Sequence, residues 1–383
     1  MRGDLALVNG RVVDPDLDEI YDADIVLKDG HIVAISRERG QAADTPTLDL
    51  ERAFVTPALI DAHVHCFEHV SPGSLNPDRI GVRQGVGAII DAGSFGPRNA
   101  AGFREFIVQQ SKTRVYGLVN ISRWGNSTNP GESAIIGFLN PTDVVRAIDQ
   151  AHGWLRGVKV RASVTAVGAL GILPVHLAKQ AAREAGVPLI VHIGNGPPTL
   201  EEVCALLTEG DVITHCFHGK IGGAITRHGK LLPAVADAVA RGVLLDIGHG
   251  SGSFAWSTAE RALQLGQPPH SISTDLHAGC VSGVPGKASR VTLLRVMAKM
   301  LHLGMSLMDV VRATTIVPAH TFGLEPQFGH LTIGAPANIS VFAQCEHDEV
   351  TYDVEGQSRH MTQTLEPRYT ILDGHVYEAE KTG

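Results

Sequence analysis

An α/β architecture is predicted for this chain: a (β/α)8 TIM barrel over residues 55–328, with a small β-sandwich domain built from both chain termini, 1–54 and 329–383. Three observations predict it. Eight apolar, strand-like runs alternate with helix-like stretches through the middle of the chain. Turn-rich β texture recurs at the two ends. The 383 residues also exceed the roughly 100–200 of a typical domain, which leaves room for one large barrel and an appendage.

The first segment, LALVNGRVVDPDLDEIYDADIVLKDGHIVAI, reads as short strands joined at NG and DG turns, where glycine supplies the positive φ of a tight hairpin. The barrel runs follow: ALIDAHVH, GAIIDAG, RVYGLVNIS, GVKVRAS, PLIVHIG, VITHCFH, VLLDIGHG and SISTDL. Between them, PVHLAKQAAREAG and LLPAVADAVARG carry apolar residues at helical spacing and end in a capping glycine. GHLTIGAPANISVFAQ and RYTILDGHVYEAE then restore the β texture, again around a DG turn. In such a barrel the active site lies at the C-terminal ends of the strands. An open doubly wound sheet is the alternative, but no GxGxxG opens a helix after the first strand, so a dinucleotide-binding reading lacks its fingerprint.

A net charge of −8 with no clustered Lys/Arg run argues against nucleic acid, because phosphate binding needs concentrated positive charge. No apolar stretch reaches the ~18 residues of a membrane helix, and MRGDLALVNGRVVD lacks the apolar core of a secretory signal, so no membrane association and a cytoplasmic location are expected. The five cysteines, Cys66, Cys204, Cys216, Cys280 and Cys345, are odd in number and fit reduced thiols. Cys66, Cys216 and Cys280 lie beside candidate site segments, but with no CxxC pair they read as small buried hydrophobes.

Polar residues cluster at the strand ends. His63 and His65 are two apart and so point to one side of a strand, where paired imidazoles can grip a metal ion. Hydrogen-bonded histidines at a strand end are the plain alternative. Lys159, His192, His215 and Asp275 also fall at predicted strand ends. Singly, each has an ordinary explanation: a snorkelling lysine, a strand-capping histidine, a helix-capping aspartate. Six at one end of one barrel point to a metal site.

This constellation, with TPALIDAHVH and the split terminal β domain, resembles the binuclear subtype of the amidohydrolase superfamily. Ala58 stands where the family's P-G-x-I-D-x-H-x-H pattern usually has glycine. The resemblance implies two divalent ions, with zinc as the first expectation, held by His63, His65, Lys159, His192, His215 and Asp275. It implies that Lys159 reacts as the neutral amine with carbon dioxide to give a bridging carbamate, since an ammonium would repel the ions; buried lysines shift pKa readily enough to allow this. It further implies attack of a metal-bridging hydroxide on an acyl carbonyl, with Asp275 as the catalytic residue that takes the proton and passes it to the leaving group.

For substrate, the runs HVHCFEH, NISRWG, HIGNGPP, HCFHGK and STDLHAG look most like a dihydroorotase-related branch labelled amidohydrolase/deacetylase, which includes acetyl-(R)-mandelate deacetylases. The expected reaction is cleavage of a C–O or C–N acyl bond in a small O-acyl or N-acyl carboxylate. Hydrolysis of a cyclic amide, as by dihydroorotase or hydantoinase, is the main competitor. Dihydroorotases carry arginine two residues after the H-x-H, where this chain has Phe67. Arg123 and Arg161 are candidates for a bidentate grip on the carboxylate, and His218, His249 and His277 for lining the pocket. His69 lies beyond the first strand as a possible pocket residue. A deaminase is a further alternative, against which the strand-four Lys159 argues; a non-catalytic scaffold relative is another, against which the complete ligand set argues. A homo-oligomer is expected.

Overall fold

The computed structural model describes residues 4–38, 45–128, 131–281 and 290–380. The N-terminal part supplies β1 (Leu5–Asp14), β2 (Glu19–Lys28), β3 (His31–Ser36), β4 (Thr47–Asp49) and β5 (Phe54–Pro57). Strands β2 and β3 are joined by Asp29-Gly30, with φ of 49° and 82°, the left-handed pair that a two-residue hairpin needs. The expected turn at Asn9-Gly10 is absent. Those residues lie inside β1 as a bulge in its pairing with β2. Asn9 takes the positive φ (59°), and its N–H goes to the Asp24 carboxylate at 3.1 Å. A positive-φ dipeptide relieves either a chain reversal or a strand irregularity, and long-range pairing chose the second here.

The barrel strands are β6 (Leu59–Val64), β7 (Val86–Ala92), β8 (Arg114–Asn120), β9 (Leu155–Ala162), β10 (Leu189–Ile193), β11 (Val212–Thr214) and β12 (Leu244–Asp246). They form one parallel sheet in sequential order. The eighth run, 271–276, closes it through single bridges from Ser271 to Asp246 and from Leu276 to Val64. Asp275 N–H donates to His63 O at 2.7 Å, and His65 N–H to Leu276 O at 2.9 Å, which sews the last strand to the first. This is the (β/α)8 barrel. The helix Leu173–Ala185 follows β9, buries Val175, Ala178, Ala181 and Ala182 on one stripe, and stops at Gly186 with φ 65°.

The chain returns as β13 (Ile339–Tyr352), β14 (Ser358–Leu372) and β15 (His375–Glu378). Strand β13 pairs with β5, so the terminal sheet runs β15-β14-β13-β5-β1-β2-β3, with β4 beside β1. Its core is Leu7, Val12, Ile25, Leu27, Ile32, Val55, Ile339, Val341 and Ile371. The loop between β14 and β15 is a second Asp-Gly turn, Asp373-Gly374 (φ 47° and 76°). A Cβ on Gly374 would lie 2.9 Å from Gly30 Cα, so the turns from opposite ends of the chain stand back to back. Among the described residues no single helix is long and apolar enough to cross a membrane.

Candidate metal centre and active site

The first strand delivers His63 and His65 to the barrel mouth, and their partners define which ring nitrogens are free. Thr214 Oγ1 donates its one proton to Asp246 Oδ2 at 2.6 Å, so at 2.9 Å from His63 Nδ1 it accepts. The His63 proton is therefore on Nδ1, and the Nε2 lone pair faces Lys159 Nζ (3.1 Å) and Asp275 Oδ1 (3.5 Å). His65 Nδ1 is 2.8 Å from Ser94 Oγ, and its Nε2 lies 3.1 Å from Asp275 Oδ1. Within this group the ligand atoms of His63, His65 and Asp275 all fall within 4.8 Å of one another.

His192 and His215 complete the other side. His215 Nδ1 donates to Gly248 O at 2.6 Å, which leaves its Nε2 lone pair 2.8 Å from His192 Nδ1. At that distance His192 Nδ1–H donates to His215 Nε2; a cation held by both rings would replace this proton and spread the two nitrogens to the roughly 3.3 Å of a tetrahedral zinc. Burial brings His63 down to about 4 and holds His192 and His215 well below the ordinary histidine range. Burial thus favours the neutral ring, the form a metal ligand requires. Burial also lowers Lys159 to about 8. Burial alone would raise Asp275, but the imidazoles around it, with a hydrogen bond from His65, keep its carboxyl well below the usual range. The donor set of His63, His65 and Asp275 fits a divalent metal ion.

The backbone is bent to this purpose. His215 has φ 70° and Asp275 φ 51°, left-handed conformations uncommon outside glycine. Asp61, fully buried, accepts from Thr274 Oγ1 (2.5 Å) and Thr274 N–H (3.0 Å), tying the strand of His63 to the strand of Asp275. Asp61 is the aspartate of the quoted I-D-x-H-x-H pattern, whereas Ser94, Thr214 and Asp246 carried no sequence signal beyond being polar on or just after apolar strands.

A cavity of about 180 Å³ opens over the cluster, walled by His63, His65, Lys159, His192, Asp275, Arg161, His277 and Asn126. Arg161 reaches it while Nη1 contacts both oxygens of the buried Glu132 at 3.3 Å. His277 is held by its own Nδ1 to Asp275 O (2.7 Å) and by Nε2 to Ser251 Oγ (3.1 Å). The other three candidates do not form this wall. Arg123 donates to Gly137 O at 2.5 Å and covers the Phe138 ring. His218 is buried, with Nδ1 accepting from Lys220 N–H at 3.1 Å. His249 stacks on Phe254 and receives a hydrogen bond from Lys299. Asn126, missed in the sequence, has its amide 3.5 Å from His65 Nδ1. His69 lies on the loop after β6 with φ 66° and is not on the cavity wall. Cys280 is buried, its Sγ 3.3 Å from His277 Nδ1.

Known proteins share this design. A deacetylase of Enterococcus faecalis is 36% identical over 378 residues, 98% of this chain and 99% of its own. Among solved structures, one described as an adenine deaminase is 36% identical with a TM-score of 0.91, covering 98% of this chain and 100% of its own. One described as a dihydroorotase is 30% identical with a TM-score of 0.89, covering 99% and 98%. The amidohydrolase family model matches residues 175–377, a stretch that includes His192, His215 and Asp275. The family is metal-dependent, in keeping with the His63–His65–Asp275 cluster. The chain belongs to the amidohydrolase family and is a hydrolase.

Proposed function

We propose that this protein is a deacetylase that hydrolyses the acyl bond of a small O-acyl or N-acyl carboxylate. In this reading His63, His65, Lys159, His192, His215 and Asp275 hold two zinc ions. The observation that carries it is Lys159: fully enclosed, 3.1 Å from His63 Nε2, in a cluster where a bare ammonium has no use. Its amine, lowered to about 8 by burial, is available near neutral pH to form the anionic carbamate that such a donor set needs. When bound, the ions polarise the scissile carbonyl and bring the pKa of water toward neutrality. Asp275 takes the proton of the attacking water and returns it to the departing oxygen or nitrogen. Arg161, held by Glu132, offers its guanidinium edge to the substrate carboxylate, and His277 stands on the same wall.

The Enterococcus faecalis deacetylase supports this choice by matching nearly end to end. Phe67, at the position of the dihydroorotase arginine, is buried with its ring 5.2 Å from Phe103, so it offers no carboxylate grip. The five unpaired thiols fit a cytoplasmic, reducing setting, and we expect a homo-oligomer.

The deciding assay offers zinc-loaded enzyme acetylated hydroxy acids, N-acyl amino acids of both hands, dihydroorotate and adenine. Acetate release from the first two classes is expected; ammonia from adenine or ring opening of dihydroorotate alone would overturn the assignment. Asp275→Asn should lower kcat by about 10²–10⁴-fold, the usual worth of a proton-transferring group. Near wild-type turnover in that variant would refute its role.

A further inference from the structure

Among the described residues, one buried lysine besides Lys159 lies outside the chemistry described above. Lys299, on the helix Leu293–His302, is 4% exposed and flanked by Phe254 and Trp256, each ring centroid 5.0 Å from Nζ. Its Nζ lies 2.9 Å from His249 Nε2. Enclosing an amine this far from water is costly, and burial lowers it to about 7. A leucine or methionine would fill the same space without that cost.

The proton positions along this chain of groups are determined. His249 Nδ1 lies 2.8 Å from Gly250 O; a carbonyl only accepts, so Nδ1 carries the proton. Burial keeps the ring neutral, so Nε2 accepts and Lys299 donates. The imidazole is thus anchored on both nitrogens, and its plane is stacked on Phe254 at 4.7 Å and 13°.

His249 is the middle residue of a turn that touches two ligand residues. Gly248, φ 47°, supplies the carbonyl that receives His215 Nδ1–H at 2.6 Å. Its α-carbon is so close to the neighbouring strand that a Cβ there would lie 2.2 Å from Thr214 Oγ1. Gly250, φ 53°, lies against the other side, where a Cβ would come 2.7 Å from Asp275 Oδ2. The His249 and Gly250 N–H groups pair with Ser273 O (3.1 Å) and Thr274 O (2.8 Å), the residues leading into Asp275.

We propose that Lys299 and His249 are positioning residues, a latch that holds the Gly248–Gly250 turn in place and through it sets the ring of His215 and the carboxylate of Asp275 for metal. This rests on the reading of the six-residue cluster as a metal centre. Such outer partners of ligands are typically worth about 10–100-fold in metal affinity. A purely structural role predicts instead a loss of stability with metal affinity intact.

The test is zinc affinity by competition with a chromophoric chelator, with melting of the metal-free and zinc-loaded forms, on the full chain. Lys299→Met removes the donor and the buried charge while keeping bulk. The metal-free variant should melt close to wild type, because the cost of enclosing the amine disappears while His249 Nε2 loses its donor. Its zinc affinity should fall about 10–100-fold, and the melting increment on zinc addition should shrink. His249→Phe, which keeps the stack on Phe254, should show the same loss, and the double variant no more than either single, since both break one chain of contacts. Wild-type zinc affinity in Lys299→Met or His249→Phe, or additive losses in the double variant, would overturn the latch. Failure of the wild-type protein itself to bind zinc would instead overturn the metal reading of the cluster, and the latch with it.

Discussion

His215 and Asp275 occupy left-handed backbone, at φ 70° and 51°, where a side chain with a Cβ is strained by ~1–3 kcal/mol each. Neither contributes a packing reason for that conformation; it points an imidazole and a carboxylate inward. Asp61 belongs to the same set of constraints. Burial, partly offset by hydrogen bonds from Thr274 and His63, pushes its carboxyl up to about 7, against about 3.9 in an unfolded chain. Between about pH 4 and 7 the folded state therefore binds the more protons, and stability is lost as pH rises through that window. Asp61→Asn should remove this loss: in urea titrations of metal-free protein, its stability relative to wild type should climb from pH 4.5 to pH 7. Parallel curves for the two proteins would contradict the assignment. That His63, His65, Lys159, His192, His215 and Asp275 gather at one end of the barrel was legible because strand-end position places them without knowledge of tertiary contacts. Thr214, Ser94 and Asp246, which orient those rings, were not, because a polar residue's role depends on which strand lies next to it.

At the level of elements, glycine-bearing dipeptides show where local reading succeeds and stops. Asp29-Gly30 and Asp373-Gly374 are the hairpins the sequence predicts. Asn9-Gly10 has the same chemistry but lies within a continuous strand, because β1 must pair with β2 on both sides of it. Pocket residues divide the same way. Arg161 shares the parity of Lys159 on a regular strand and reaches the cavity, whereas Arg123 and His249 follow strand ends, where loop geometry decides direction. Gly30 offers a direct check. With φ 82° and a Cβ position 2.8 Å from Asp373 O, Gly30→Ala should lower stability by at least about 1–2 kcal/mol, read from the urea midpoint. The kcat/KM should stay at the wild-type value, since the turn is remote from the cavity; unchanged stability would show that the two turns do not press on each other.

For the molecule as a whole, the proposed ligands come from β6, β9, the ends of β10 and β11, and the closing run 271–276. Metal bound there links five of the eight strands and adds to the backbone hydrogen bonds that join the closing run to its two neighbours. Removing it should cost more than activity. A ligand at 100 times its dissociation constant stabilises by about 2.7 kcal/mol, so treatment with a chelator should lower the melting temperature, and zinc with bicarbonate should restore it. No change in melting on chelation would argue that the barrel is closed without help from the site.

The terminal sheet has a consequence for how the chain is made. Strand β5 lies between β1, from the start of the chain, and β13, which begins at Ile339, and the turn at Gly30 rests on the turn at Gly374. On the ribosome, β1 to β5 emerge first and must wait, with the apolar face of Leu7, Val12, Ile25 and Val55 uncovered, until β13 has been synthesised. Nascent chains arrested before β13 should therefore be the form most dependent on chaperones. The time needed to translate the barrel, residues 58–338, then sets how long that face is exposed to aggregation.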